Sequence, residues 1–162
     1  MIFTDNILYH KELPSQGKLM ALDVGTKRIG IATSDELRLL TTPKAILTRK
    51  SNFDDFTKIK DFALENSVKA IIIGFPTHMD GKPVQMTEFV ENFAKNFDDF
   101  LNNNSSIKQL PIFLFDERLS SFEAKEFARE IKSRKKQKHY DDIAASVILK
   151  DFIAFVQNSI EI

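Results

Sequence analysis

The 162-residue chain contains no cysteine. This absence excludes disulfide bonds, thiolate metal sites and thiol nucleophiles together, and it fits a protein of a reducing compartment. The chain also lacks net charge, because 23 Lys and Arg residues balance 23 Asp and Glu residues. A general attraction of the whole molecule to a polyanion is therefore not expected, and contact with nucleic acid has to come from local basic patches.

Long apolar runs are absent as well. None approaches the roughly 20 residues of a membrane-spanning helix, and the N-terminus has no basic region followed by an apolar one. We therefore expect a soluble, cytoplasmic protein with no membrane partner. The length predicts one domain with a hydrophobic core. Residues 1–17 have no clear period and contain Pro14, Ser15 and Gly17, so we interpret them as an N-terminal extension, docked or mobile, before a single domain of residues 18–162.

The central feature of the sequence is residues 20–35, which read as two short strands joined by a tight turn. Gly25 allows the chain to turn at no steric cost. Asp23, near the end of the first strand, is costly to bury unless it is paired or binds a cation. A turn-capping role, a salt bridge to Lys27 or Arg28, and cation binding are therefore all open interpretations.

The remaining pattern predicts alternating strands and helices. The predicted strands are 18–24, 28–34, 39–48, 68–74 and 110–115, and the predicted helices are 51–66, 84–101, 120–131 and 140–156. Pro43 suits an edge strand, and Ser51 suits a helix N-cap. The fold class is therefore α/β, a central five-stranded mixed sheet with helices on both faces. Short turns make the early strands antiparallel, and the later strands should be parallel.

Three acidic residues fall at comparable places in this scheme. Asp23 lies on the first strand, Glu117 follows the fifth, and Asp141 begins the last helix. Ligand sites in open α/β sheets form beyond the carboxyl ends of the strands, so the three can converge. Close carboxylates repel unless a cation neutralises them, and oxygen ligands favour Mg²⁺ or Mn²⁺. Such ions promote phosphodiester hydrolysis.

Four sequence blocks carry a resemblance to a known family. They are Asp23-Val24-Gly25-Thr26-Lys27-Arg28-Ile29-Gly30; Gly74-Phe75-Pro76 with Asp80-Gly81; Asp116-Glu117-Arg118-Leu119-Ser120; and Asp141-Asp142-Ile143-Ala144-Ala145. In this order they resemble the YqgF family, also called RuvX, described as Holliday junction resolvases and later as pre-16S rRNA nucleases. The resemblance spans residues 19–155. The extension begins upstream of where family members usually start.

The resemblance implies a ribonuclease H-like fold and metal-dependent endonuclease activity on structured nucleic acid. It assigns the catalytic and metal-binding roles to Asp23, Glu117 and Asp141, preferring Glu117 to Asp116 and Asp141 to Asp142. The implied reaction is 5′-end processing of pre-16S rRNA, in contact with ribosomal precursor particles. The alternatives are cleavage of four-way DNA junctions, and RNA binding in ribosome assembly without catalysis. Monomer and homodimer both remain open.

Candidate nucleic-acid contacts lie around these acids. The basic run 132–138 falls between Glu117 and Asp141 in sequence, which favours phosphate contact over a merely solvated loop. The residues proposed to contact nucleic acid are Lys27, His78, Arg118, Arg134, Lys135, Lys136 and Lys138. Lys27 and Arg118 could instead pair with the acids. His78 stands where the family usually has Asn, and a plain loop histidine is an equal interpretation.

A second enzyme class shares the opening motif. Asp-x-Gly-Thr at residues 23–26 also resembles the phosphate loop of the actin and sugar-kinase superfamily. Such ATPases need two facing domains of this kind, and 162 residues supply one. Protection by ATP against thermal unfolding, without nuclease activity, would favour this reading.

Overall fold

The computed structural model describes residues 1–76, 84–104, 110–116, 119 and 140–159, with the backbone alone at residues 6, 84 and 140–142. The elements in these ranges are β1 (Ile2–Phe3), α1 (Asn6–Glu12), β2 (Leu19–Val24), β3 (Arg28–Ser34), β4 (Thr41–Thr48), α2 (Asn52–Glu65), β5 (Ala70–Phe75), α3 (Val84–Asn102), β6 (Ile112–Asp116) and α4 (Tyr140–Ser159). Every helix in the described ranges is too short or too polar to cross a bilayer.

One mixed sheet organises the chain, with strand order β1-β6-β5-β2-β3-β4. Strands β2, β3 and β4 are antiparallel neighbours, whereas β1, β6, β5 and β2 run parallel. The predicted α/β class and the mixed strand directions are confirmed. Within the described residues the sheet has six strands rather than the expected five, because Ile2 and Phe3 of the extension pair with Ile112 and Phe113. A two-residue strand is too short to produce a periodic signal.

Strand β4 lies at the edge of the sheet, as Pro43 predicts. Ile31 of β3 pairs with Ala45, but the next residue, Ala32, pairs with Pro43. One residue of β4, Lys44, is therefore extra, and the register shifts between Ile31 and Ala32. A bulge of this kind accommodates a residue that has no backbone N–H to donate.

The helix signals in the sequence are also confirmed where the structure describes them. Ser51 is the N-cap of α2, and its Oγ accepts a hydrogen bond from the Asp54 backbone N at 3.1 Å. The predicted starts of α3 and α4 are correct, and each helix ends one to three residues later than expected. The helix predicted at 120–131 lies outside the described residues.

The two faces of the sheet bury two separate apolar clusters. Met20, Leu22 and Val24 of β2 point to the face covered by α2 and α3, here called the α2–α3 face. Leu19 and Ala21 point to the opposite face, called the α4 face, together with residues of α4. Because side chains alternate along a strand, Asp23 falls on the α4 face.

Helix α4 crosses its face of the sheet from β4 towards β6. In its first half, Ser146 Oγ lies 3.0 Å from Thr41 Oγ1 of β4. Further along, the Phe152 ring packs on Phe113 and Phe115 of β6, with centroids 5.7 and 5.5 Å apart. The α4 face is therefore apolar where the helix covers β2, β5 and β6, and Asp23 is the acidic position that β2 contributes to it.

Candidate functional site

A backbone turn between β2 and β3 determines where Asp23 lies. The Gly25 N–H donates to the Arg28 carbonyl at 2.9 Å. The last pair of the two strands before this turn is Val24 with Ile29, and the pair before that is Asp23 with Gly30. A Cβ atom on Gly25 would lie 2.8 Å from the Arg28 carbonyl oxygen. Glycine is therefore required at position 25, because the Arg28 carbonyl oxygen lies too close to admit a side chain. A hydrogen bond between backbone groups closes the turn.

Gly25→Ala is expected to destabilise the protein by about 1–2 kcal/mol, because either the turn or the Arg28 carbonyl must move to admit the methyl group. Urea unfolding followed by circular dichroism measures the loss. Thr26→Ala, at the next and exposed position, is the matched control and should stay within about 0.5 kcal/mol of the wild type. Equal stability of Gly25→Ala and the wild type would contradict the close approach.

Asp23 is half-buried and has glycine on both sides of it in the sheet. Gly30 is its partner on β3, and on β5 Gly74 follows Ile73, the partner of Leu22. Neither neighbour contributes a side chain, so space beside the carboxylate is left for a ligand.

A pocket of about 220 Å³ opens at this position and is lined by Asp23, Gly25, Thr26, Lys27 and Arg28. Its charged groups are of both signs, since Lys27 and Arg28 are exposed on the turn beside the Asp23 carboxylate. Carboxylate and hydroxyl oxygens suit a hard cation, and the two cationic side chains suit a phosphate. Lys27, predicted as a nucleic-acid contact, thus lies at the same pocket as Asp23.

The half-buried Arg49 bonds the turn through its side chain and its backbone. Arg49 Nη1 donates to the Gly25 carbonyl at 3.2 Å, and the Arg49 backbone N donates to the Lys27 carbonyl at 2.9 Å. The same guanidinium bonds α2, where Nε donates to Asp55 Oδ2 at 3.0 Å and Nη2 to Asn52 Oδ1 at 2.9 Å. Arg49 therefore ties the turn to the start of α2.

Two rings of α3 complete the enclosure of Arg49. Its guanidinium carbon lies 5.2 Å from the Phe89 ring centroid and 5.3 Å from that of Phe93. The side chains of Arg49 and Asp55 are 13% and 2% exposed. Sequence reasoning missed this pair, although Asp55 precedes the buried Phe56 on the apolar side of α2 and so needed a partner.

Strand β6 ends beside β5, with Asp116 paired to Phe75. Leu114 belongs to the α2–α3 face and Phe115 to the α4 face. Alternation places position 116 with Leu114, on the face opposite to Asp23. This placement argues against Asp116 as a partner of Asp23.

The other predicted site residues are only partly within the described ranges. Asp141 is the second residue of α4, one turn before the fully buried Ala145, and its side chain is not described. The predicted residues outside the described ranges are His78, Glu117, Arg118, Arg134, Lys135, Lys136 and Lys138. The described residues alone contain no group of three Asp, Glu, His or Cys side chains able to hold a metal ion.

Solved structures with a similar fold include junction resolvases. Thermus thermophilus RuvC, in complex with a Holliday junction substrate, superimposes with a TM-score of 0.59 at 8% identity, covering 88% of this chain and 96% of RuvC. The yeast mitochondrial Holliday junction resolvase Ydc2 gives 0.55 at 8% identity, covering 96% of this chain and 85% of Ydc2. At this identity the likeness establishes the fold, which is ribonuclease H-like as predicted.

Sequence comparison reaches further. A relative from Maridesulfovibrio salexigens is 33% identical over 139 residues, covering 85% of this chain and 98% of the relative. A relative from Carboxydothermus hydrogenoformans is 36% identical over 140 residues, covering 85% and 96%. Both are named "Putative pre-16S rRNA nuclease". The RuvX family model, described as Holliday junction resolvase, matches residues 17–154. The chain therefore belongs to the RuvX family of nucleases.

Proposed function

We propose that this protein is a divalent-metal-dependent endonuclease that processes the 5′ end of pre-16S rRNA in the cytoplasm. The observation that carries the proposal is the position of Asp23, which lies between two glycines at a pocket that also presents Lys27 and Arg28. Relatives over most of the chain are named for pre-16S rRNA cleavage. The family match favours this reading over an actin-like ATPase.

The donor chemistry at the pocket fits Mg²⁺ or Mn²⁺. Asp23 and Thr26 offer oxygen atoms only, and the chain has no cysteine to favour a softer metal. We assign Asp23, Glu117 and Asp141 as the residues that would hold the metal. Helix α4, which carries Asp141, covers the face to which Asp23 belongs. When bound, such an ion activates water and stabilises negative charge at a phosphodiester.

Cationic side chains have the complementary role of binding and orienting the nucleic-acid backbone. Lys27 is exposed at the pocket and we assign it to phosphate binding. The same role is proposed for Arg118, Arg134, Lys135, Lys136 and Lys138, and His78 is proposed to contact the substrate. Since the chain has no net charge, binding depends on these local groups and should weaken steeply with salt.

The test compares two substrates and several metal conditions. A precursor 16S fragment carrying its 5′ leader and a four-way DNA junction are each incubated with Mg²⁺, Mn²⁺ or EDTA, and the products are mapped on sequencing gels. We expect cleavage of the precursor with either metal and none in EDTA.

Other outcomes select other functions. Preferential cutting of the four-way junction would support junction resolution, which the family description and the fold of RuvC favour as the second candidate. Tight binding of the precursor without cutting in either metal would overturn the nuclease assignment and support an assembly factor.

A further inference from the structure

Residues 1–16 of the N-terminal extension lie outside the family match, which begins at residue 17, yet the extension is bonded to a strand of the core. Ile2 and Phe3 of β1 pair in parallel with Ile112 and Phe113 of β6. The Ile112 N–H donates to the Met1 carbonyl at 3.0 Å. The extension therefore covers the outer edge of β6, the strand that leads directly to Glu117.

Strand β1 is shorter than the edge it covers. It ends at Phe3, whereas β6 continues to Asp116. In a parallel sheet, every second residue of a strand directs its backbone N–H and C=O to the same neighbouring strand. Ile112 bonds β1, so the backbone groups of Leu114 point to the same side, beyond the end of β1. An unpaired carbonyl at the buried Leu114 would be costly.

Tyr9 fills the gap left by the end of β1. Its hydroxyl donates to the Leu114 carbonyl oxygen, and its side chain is fully buried. The ring is fixed against Phe113 and Phe152, with centroids 5.4 and 5.5 Å away. Burial, and then the charges of Asp116 and Asp5, raise the pKa of Tyr9 above its ordinary value. The hydroxyl therefore stays protonated, and a donor, at physiological pH.

We propose that Tyr9 is a positioning residue of the active site, which acts through the backbone of β6. By bonding the Leu114 carbonyl it holds the last residues of β6, which ends at Asp116, the position before Glu117 in the sequence. The inference rests on the proposed function, because Glu117 has its catalytic role there. It adds that the extension, which the family model does not include, takes part in ordering the site.

Tyr9→Phe tests this, because it keeps the ring and removes the hydrogen bond. The matched control is Ser34→Ala. Ser34 is also buried, and its Oγ accepts from the Leu19 N–H at 2.9 Å and donates to the Asp35 carbonyl at 2.8 Å. These bonds lie at the opposite end of β2 from Asp23. Both variants lose a buried hydroxyl that bonds the backbone, through one hydrogen bond in Tyr9→Phe and two in Ser34→Ala, so Tm should fall at least as far in Ser34→Ala.

Two measurements on full-length protein separate positioning from general stability. Hydrogen–deuterium exchange of the peptide spanning 112–116 should be about tenfold faster in Tyr9→Phe and unchanged in Ser34→Ala. At saturating Mg²⁺, kcat on the precursor should fall about tenfold in Tyr9→Phe, with KM within about twofold, and stay near wild type in Ser34→Ala.

The results that would overturn the inference are distinct from those that would overturn the proposed function. Wild-type exchange over 112–116 in Tyr9→Phe would show that the hydroxyl does not hold β6. Wild-type kcat in Tyr9→Phe, or an equal loss in both variants, would show that the bond only stabilises the fold. If the wild type cuts neither substrate, the nuclease proposal and the link to Glu117 fail together, while exchange still tests whether Tyr9 holds β6.

Discussion

Asp23→Asn is expected to lower kcat by at least about 10³-fold and to leave the affinity for uncut precursor within about threefold. Asparagine has the size and shape of aspartate, so the sheet and the turn are preserved. It lacks the negative charge that a divalent ion requires at this position. In the proposed function, binding of the nucleic-acid backbone depends on cationic groups such as Lys27, so we expect it to be retained.

Three measurements check this expectation. Single-turnover cleavage gives the rate, filter binding in EDTA gives the affinity, and calorimetric titration with Mn²⁺ should lose its signal in the variant. Asp35→Asn is the matched control. Asp35 lies beyond the far end of β3, where its Oδ1 accepts from the Leu39 and Leu40 N–H groups at 2.8 Å each. Cleavage by Asp23→Asn at the wild-type rate would show that the catalytic assignment is wrong.

The stability of Asp23→Asn carries separate information. If several carboxylates converge on one metal site, they repel one another when no metal is present. Thermal melts in EDTA should then show Asp23→Asn equal to or more stable than the wild type. A clearly less stable variant in EDTA would indicate that Asp23 makes a structural ion pair instead.

The sequence was sufficient for the parts of the fold that repeat a local pattern. The apolar residues before Asp23 indicated β2, alternation indicated β3, the apolar stripe indicated α3, and Ser51 marked the start of α2. Asp23 was singled out as a candidate site residue because a carboxylate in a core strand is costly to bury, and its catalytic role was inferred from the family resemblance. Both the apolar pattern of a strand or helix and a charged residue that interrupts it can be recognised from the sequence alone.

The parts that the sequence did not indicate depend on contacts between distant residues. Tyr9 reaches Leu114, 105 positions away, and Arg49 reaches Gly25, 24 positions away. Neither residue lies in a periodic segment that points to its partner. The two residues of β1 form a strand only because they pair with the edge of β6. Such pairings follow from the assembled sheet and not from local propensity.

Arg49→Met is expected to destabilise the protein by about 3–5 kcal/mol, the cost of leaving a buried charge without its partner. Asp55 is 2% exposed, and besides Arg49 it accepts the Lys50 N–H at 3.1 Å. Methionine fills the space between Phe89 and Phe93 but offers no donor to Asp55 or to the Gly25 carbonyl. Urea unfolding measures the change, and Lys50→Met, at the exposed neighbouring position, should stay within about 0.5 kcal/mol of the wild type.

A double-mutant cycle distinguishes the ion pair from simple packing. Asp55→Asn combined with Arg49→Met removes both charges, so the double variant should be more stable than the sum of the two single losses predicts, with a coupling of about 1–3 kcal/mol. Arg49→Lys should recover only part of the stability, because an ammonium cannot reach Asp55, Asn52 and Gly25 in the planar geometry of the guanidinium. Additive losses would mean that Arg49 and Asp55 stabilise the fold by packing and not as an ion pair. An Arg49→Met variant within about 1 kcal/mol of the wild type would mean that the turn beside Asp23 is held by its backbone hydrogen bonds alone. If the coupling is present, Arg49 stabilises the start of α2 through Asp55, and the same guanidinium stabilises the turn next to Asp23 through the Gly25 carbonyl.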